Sequence, residues 1–152
     1  MTKNIKTNKI VNFVYKNADY GVWFIAVASV FGSLTFSEIL KYPPCQLCWW
    51  QRILIYPLAI MLSVAILRKE GKNTPFYVLP FSILGMIVSF YHSLLQWGIV
   101  KETVLNCTEN GNVACDKPDF LLLGFITIPF LSFLAFSAIT LLMSLKIWIN
   151  KK

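Results

Sequence analysis

The chain has 152 residues, of which 57% are hydrophobic and 15% aromatic but only 14% charged, with a mean hydropathy of +0.62. Too few charges are present to coat a soluble globule of this size, so lipid is the solvent for most of the surface. The net charge of +7 does not point to nucleic acid, because the basic residues cluster beside apolar runs and form no stripe along a soluble face.

A spanning helix needs about 20 mostly apolar residues, and four stretches meet or approach that length: 20–40, 49–67, 76–100 and 120–147. The first is preceded by lysines, and Ala26-Val27-Ala28 looks like a cleavage triplet. Too little apolar sequence precedes that triplet, and the run continues past it, so an uncleaved helix is expected. Pro43-Pro44 then bars a continuing helix and places Cys45 at or just before the start of the second span. That span opens with Gln51 and Arg52, so it crosses the membrane only if Arg52 lies near an interface or inside the bundle. A short turn over 68–74, with Gly71 and Asn73 before Pro75, makes spans two and three antiparallel neighbours. The polar segment 101–119 reads as a loop, and no internal repeat is visible. The expected fold is all-α: a single membrane domain over 1–152, built as a four-helix bundle.

Basic residues set the orientation. Lys3, Lys6, Lys9, Lys16, Arg68, Lys69, Lys72, Lys146, Lys151 and Lys152 share one side, while the opposite loops hold only Lys41, Lys101 and Lys117. The positive-inside rule therefore makes both termini cytoplasmic and turns Cys45, Cys48, Cys107 and Cys115 outward.

Cys45-Gln46-Leu47-Cys48 is a CxxC, a spacing that lets two sulfurs meet across one helical turn and lets a helix N-terminus favour a thiolate. A structural disulfide, a zinc half-site and chance are the other readings. Cys107 and Cys115 enclose seven residues of the long loop. A disulfide there constrains the unfolded chain weakly, which favours chemistry over a structural staple. Asn106-Cys107-Thr108 also matches the glycosylation acceptor pattern, a use that conflicts with thiol chemistry at its middle residue. Zinc bound by the cysteines and His92 remains open, although His92 is expected inside span three, roughly 12 Å from its end.

Arg52 lies one turn after Cys48, where a half-buried cation favours the thiolate; the competing reading is a side chain snorkelling to the headgroups. His92 and Gln96, spaced i, i+4, put two hydrogen-bonding groups on one face of span three, either lining a polar niche beside Arg52 or simply joining helices. Trp49, Trp50 and Trp97 read as an aromatic belt.

Cys45 to Arg52 (CQLCWWQR), the Tyr91-His92-Ser93 stretch, the loop cysteine pair and Gly124-Phe125-Ile126-Thr127-Ile128-Pro129 together resemble the DsbB/BdbC disulfide-formation proteins over nearly the whole chain. In the vitamin K epoxide reductase family, which shares the chemistry, the loop pair precedes the CxxC; here the order is reversed. The resemblance implies a cell-membrane oxidoreductase that reoxidises a DsbA/BdbD-like thioredoxin-fold thiol oxidase and passes electrons to the quinone pool, menaquinone or ubiquinone. By the same resemblance Cys107 accepts the partner's thiolate, Cys115 attacks Cys45, and Cys48 is released beside the quinone. Arg52 would stabilise that thiolate, with His92 and Gln96 at the quinone ring. Gln51 departs from the family pattern by replacing the acidic residue often found before this Arg. The non-catalytic alternative is a small membrane scaffold or transporter subunit with two structural disulfides.

Overall fold

A computed structural model describes residues 2–41, 44–69, 71–100, 121–122 and 126–150. Helix α1 runs Thr2–Leu34 and continues as a π-helical turn, Thr35–Ile39. Helix α2 is Gln46–Arg68 and α3 is Thr74–Gln96. A two-residue antiparallel ribbon, β1 Leu121–Leu122 with β2 Ile126–Thr127, leads into α4, Ile128–Asn150. The segments Asn17–Ile39, Gln46–Arg68, Thr74–Gln96 and Ile128–Ile149 are each long and apolar enough to cross a membrane. At 1.5 Å per residue, 22 or 23 residues extend roughly 34 Å, enough for a hydrocarbon core of about 30 Å. The all-α four-helix bundle expected from the sequence is the fold observed.

Helix α1 begins at Thr2, well ahead of the apolar run at 20, and three other boundaries differ from the runs for a local reason. Helix α3 stops at Gln96 although Gly98-Ile99-Val100 extends the run. Gly98 takes φ 70°, its amide donates to the Leu95 carbonyl, and the Ile99 amide reaches back to Leu94. This is a Schellman ending, which uses a glycine in the left-handed region. Helix α4 begins at Ile128 rather than near residue 120 because Pro129 has no N–H to donate to a preceding turn, so the proline sits in the first turn. Helix α2 starts three residues earlier than its apolar run, with Cys45 as the extended N-cap (ψ 170°).

Each helix packs against two neighbours, in the cycle α1, α2, α3, α4. The core joins Val22 and Ala26 of α1, Leu58 and Leu62 of α2, Val78 of α3, and Phe136, Ile139 and Met143 of α4. Small side chains let the helices approach, as membrane bundles require when lipid offers no hydrophobic drive between helices. Gly85 is the tightest case: a Cβ there would lie 2.3 Å from the Phe136 ring. Hydroxyls pair without leaving the bundle, Thr140 donating to Ser82 (3.1 Å) and the Trp23 indole to Ser63 (2.8 Å).

The charged pair at one end of the bundle is buried. Lys146 of α4, 3% exposed, bonds both carboxylate oxygens of Asp19 on α1. A Cβ on Gly71, in the turn between α2 and α3, would come within 2.8 Å of Asp19 Oδ2. The cysteine motif lies at the opposite end, where α2 begins.

Candidate active site

Because α2 starts at Gln46, Cys45 stands at its N-cap and Cys48 in its first turn, next to amides that have no intrahelical acceptor. The two residues stand as thiols with sulfurs 3.2 Å apart. Cys45 is buried and Cys48 half-buried. The early end of α3 brings His92 level with this motif. His92 is fully buried, with Nε2 3.6 Å from Cys45 Sγ and Nδ1 3.0 Å from Gln51 Nε2. The hydrogen bond to Cys48 and then burial push the Cys45 thiol up to about 12, against a lowering by His92. Cys45 thus stays protonated at neutral pH in this state.

Arg52 is turned the other way, toward α1. Its Nε donates to Ser33 Oγ (2.8 Å) and its Nη2 to the Ser33 carbonyl (2.9 Å), while the guanidinium carbon lies 5.5 Å from the centre of the Trp49 ring. Arg52 is 9% exposed, and among the described residues it has no carboxylate partner. A buried cation held by neutral oxygens keeps its charge available to a third group.

A cleft of about 430 Å3 opens between α1, α2 and the start of α4. Cys48, Gln51 and Arg52 form its polar wall, and side chains such as Phe24, Phe36 and Leu131 form its apolar ones. A mostly apolar cleft with a few convergent polar groups is the usual form of a small-molecule site. His92 does not line it but reaches Gln51, which does. Gln96 lies one turn beyond, its Oε1 buried without a hydrogen-bond partner. Arg52 thus lines the cleft directly, whereas His92 meets its wall through Gln51. Cys107, Cys115 and their loop lie outside the described residues.

Among the described residues, Cys45, Cys48 and His92 also have ligand atoms within 4.8 Å of one another, a group able to hold a metal. The amide nitrogen of Gln51 can only donate, so it makes Nδ1 the acceptor and leaves the Nε2 proton facing Cys45. A metal ligand needs a lone pair at that atom. The arrangement fits a thiol pair with its hydrogen-bond partner better than a cation.

Two residues of this site escaped the sequence reading. Ser33 belongs to a stripe, Ser29, Ser33 and Ser37, spaced i, i+4 on α1, and that stripe was its available signal. Gln51 stood out only as a departure from a pattern, yet it touches both His92 and the cleft.

The model of the family described as disulfide bond formation protein DsbB matches residues 18–145. The chain belongs to the DsbB family. It is 40% identical over 126 residues to disulfide bond formation protein C of Bacillus subtilis, covering 83% of this chain and 89% of that one. A probable disulfide formation protein C of Halalkalibacterium halodurans is 41% identical over 122 residues, 80% and 86% of the two chains. A probable disulfide formation protein of Deinococcus radiodurans is 40% identical over 133 residues, 82% and 85%. No solved structure matches. Membership of the DsbB family, with the dithiol at a helix start, makes the chain a multi-pass membrane oxidoreductase that acts in disulfide bond formation.

Proposed function

We propose that the chain reoxidises an extracytoplasmic DsbA/BdbD-like thioredoxin-fold thiol oxidase and delivers the electrons to a membrane quinone, menaquinone or ubiquinone, from a cell-membrane bundle whose termini are cytoplasmic. The observation that carries this reading is a helix-start dithiol whose second sulfur faces an apolar cleft beside a buried guanidinium. The cleft suits a flat apolar ring bearing two carbonyl oxygens, with Arg52 and Gln51 as the donors to them.

In the relay, a partner thiolate attacks the Cys107–Cys115 disulfide, forming a mixed disulfide with Cys107 and releasing Cys115. The second partner thiol then displaces Cys107, which leaves the partner oxidised and the loop pair reduced. Cys115 next attacks Cys45 of the oxidised CxxC, and Cys48 leaves as a thiolate facing the cleft. Attack by Cys107 on Cys115 closes the loop disulfide again and frees Cys45. Each cycle thus moves two electrons and two protons from the partner to the CxxC.

A quinone bound in the cleft supplies a two-electron, two-proton acceptor. The need for such an acceptor is thermodynamic: for this two-electron couple about 30 mV is worth roughly 1.4 kcal/mol, so regenerating a strongly oxidising partner requires a still stronger oxidant downstream. The chain's own part is to present Cys48, to hold Arg52 against Ser33 where negative charge develops, and to exclude water with the apolar walls.

The purified protein, given a reduced thioredoxin-fold oxidase, should oxidise it only when quinone is added. Cys107→Ser and Cys115→Ser should abolish oxidation of the partner while leaving the CxxC oxidisable by quinone. Loop variants that turn over partner at the wild-type rate, or turnover independent of quinone, would sink the relay.

A further inference from the structure

The hydrogen bonds around the cysteine pair share one direction, and Gln51 fixes it. Its Nε2 lies 3.0 Å from His92 Nδ1, and an amide nitrogen has hydrogens but no lone pair to offer. Nδ1 therefore accepts, and the single proton of the neutral ring sits on Nε2. That atom faces Cys45 Sγ at 3.6 Å, and the Cys45 thiol donates in turn to Cys48 Sγ at 3.2 Å.

We propose that Gln51 is a positioning residue, which polarises the chain Gln51–His92–Cys45–Cys48 so that the proton of the reduced pair stays on Cys45 and the thiolate rests on Cys48. The consequence for turnover rests on the function proposed above: Cys48 lines the cleft whereas Cys45, 5% exposed, does not, so the polarity puts the nucleophile where the acceptor binds. With the opposite polarity, a bare Nε2 would take the Cys45 proton and leave the reactive sulfur facing away from the cleft. The high value for the Cys45 thiol agrees with the first arrangement.

Among the described residues, the titratable and charged groups facing the pair are few. Arg52 lies on α2, and His92 and the half-buried Tyr91 lie on α3. Facing the cleft, α1 and α4 offer only hydroxyls, those of Ser29, Ser33 and Ser132, among apolar groups. Those hydroxyls carry no charge; Arg52 does, and its field favours a thiolate on Cys48, but it remains unchanged when Gln51 is substituted.

Gln51→Glu separates this role from simple packing. A carboxylate can only accept, so it should draw the His92 proton to Nδ1, bare Nε2, and activate Cys45. The test is a pulse of iodoacetamide on the reduced full-length protein in the Cys107→Ser/Cys115→Ser background across a pH series. Each event forms one carbon–sulfur bond and expels iodide, and fragment masses tell Cys45 from Cys48.

We expect Cys48 to react first in the Gln51 protein. In Gln51→Glu the Cys45 rate at pH 7 should rise about tenfold, the effect of one pK unit on thiolate fraction. Comparing Cys45 with itself cancels its burial, and the added negative charge alone would slow it. Gln51→Glu/His92→Phe should lose the rise. Gln51→Leu, which releases the ring to both tautomers, should raise the Cys45 rate several-fold and serves if the Glu variant fails to fold. An unchanged Cys45 rate in the folded variant, or a wild-type pulse that lands first on Cys45, overturns the proposal. The pulse contains neither quinone nor partner, so failure of quinone-dependent turnover alongside the expected alkylation pattern would count against the relay alone.

Discussion

The two ends of the bundle bury a cation in opposite ways. At one end Lys146 is neutralised by Asp19 and covered by the turn at Gly71; at the other Arg52 is held by a serine hydroxyl, a carbonyl oxygen and an aromatic face, none of which cancels its charge. A paired charge contributes to holding helices together. A charge held, among the described residues, only by neutral groups leaves its field in the cleft, where the Cys48 sulfur also lies. The comparison teaches that burial of a charged residue in a membrane bundle is not itself the sign of a site; the sign is burial without a counter-charge.

The largest effect expected from breaking this contrast is at the paired end. Lys146→Leu or Asp19→Leu alone leaves one charge buried and should cost about 3–5 kcal/mol of stability, because the remaining ion keeps its desolvation penalty. The double variant Asp19→Leu/Lys146→Leu should recover most of that loss. Unfolding of purified protein by denaturing detergent, followed by helicity, measures it. If the single and double variants were equally unstable, the pair would be acting through shape and not charge.

The legible part of the fold was what apolar run length, turn residues and prolines determine: four spans, antiparallel neighbours, and a cysteine motif at a helix start. The ends were less legible because apolarity does not stop where a helix does. Gly98 and Pro129 carried the needed signals inside runs that hydropathy reads as continuous. For the site, Cys48 and Arg52 announced themselves by spacing on one helix, and both line the cleft. Ser33 and the Gln51–His92 contact were hidden, since each depends on which helix faces which, and a residue 19 or 41 positions away becomes a partner only after packing. The same limit affects Arg52 and His92: sequence placed both near one end of the bundle, but only packing makes Gln51 the residue that joins His92 to the cleft.

At the Arg52 end the effects should be smaller and should appear in binding. Arg52→Lys preserves the charge but not the fork of donors that engages Ser33, and the shorter reach of its hydrogen bonds should move the ammonium off the Trp49 face. The KM for quinone should rise about tenfold, equivalent to roughly 1.4 kcal/mol, with insertion into the membrane unchanged. A snorkelling residue would tolerate lysine fully, so unchanged quinone kinetics would remove Arg52 from the site.

Ser33→Ala gives the smallest effect and the sharpest one. It deletes the 2.8 Å bond from Arg52 Nε but leaves the carbonyl that accepts from Nη2 at 2.9 Å, so the guanidinium remains in place with one partner fewer. Loss of a hydrogen bond to a charged group is worth about 1.5–3 kcal/mol when the charge is left without it. Here the carbonyl and the cleft itself limit the loss, so a three- to fivefold rise in the quinone KM, about 1 kcal/mol or less, is expected with kcat little changed. If Ser33 only packed α1 against α2, alanine, which fits the same space, would leave KM alone and lower thermal stability instead. Combining the two substitutions decides whether the serine acts through the arginine. In Arg52→Lys the bond from Nε no longer exists, so adding Ser33→Ala should raise KM no further. Effects that multiply would show that Ser33 meets the ligand or the helix by its own route.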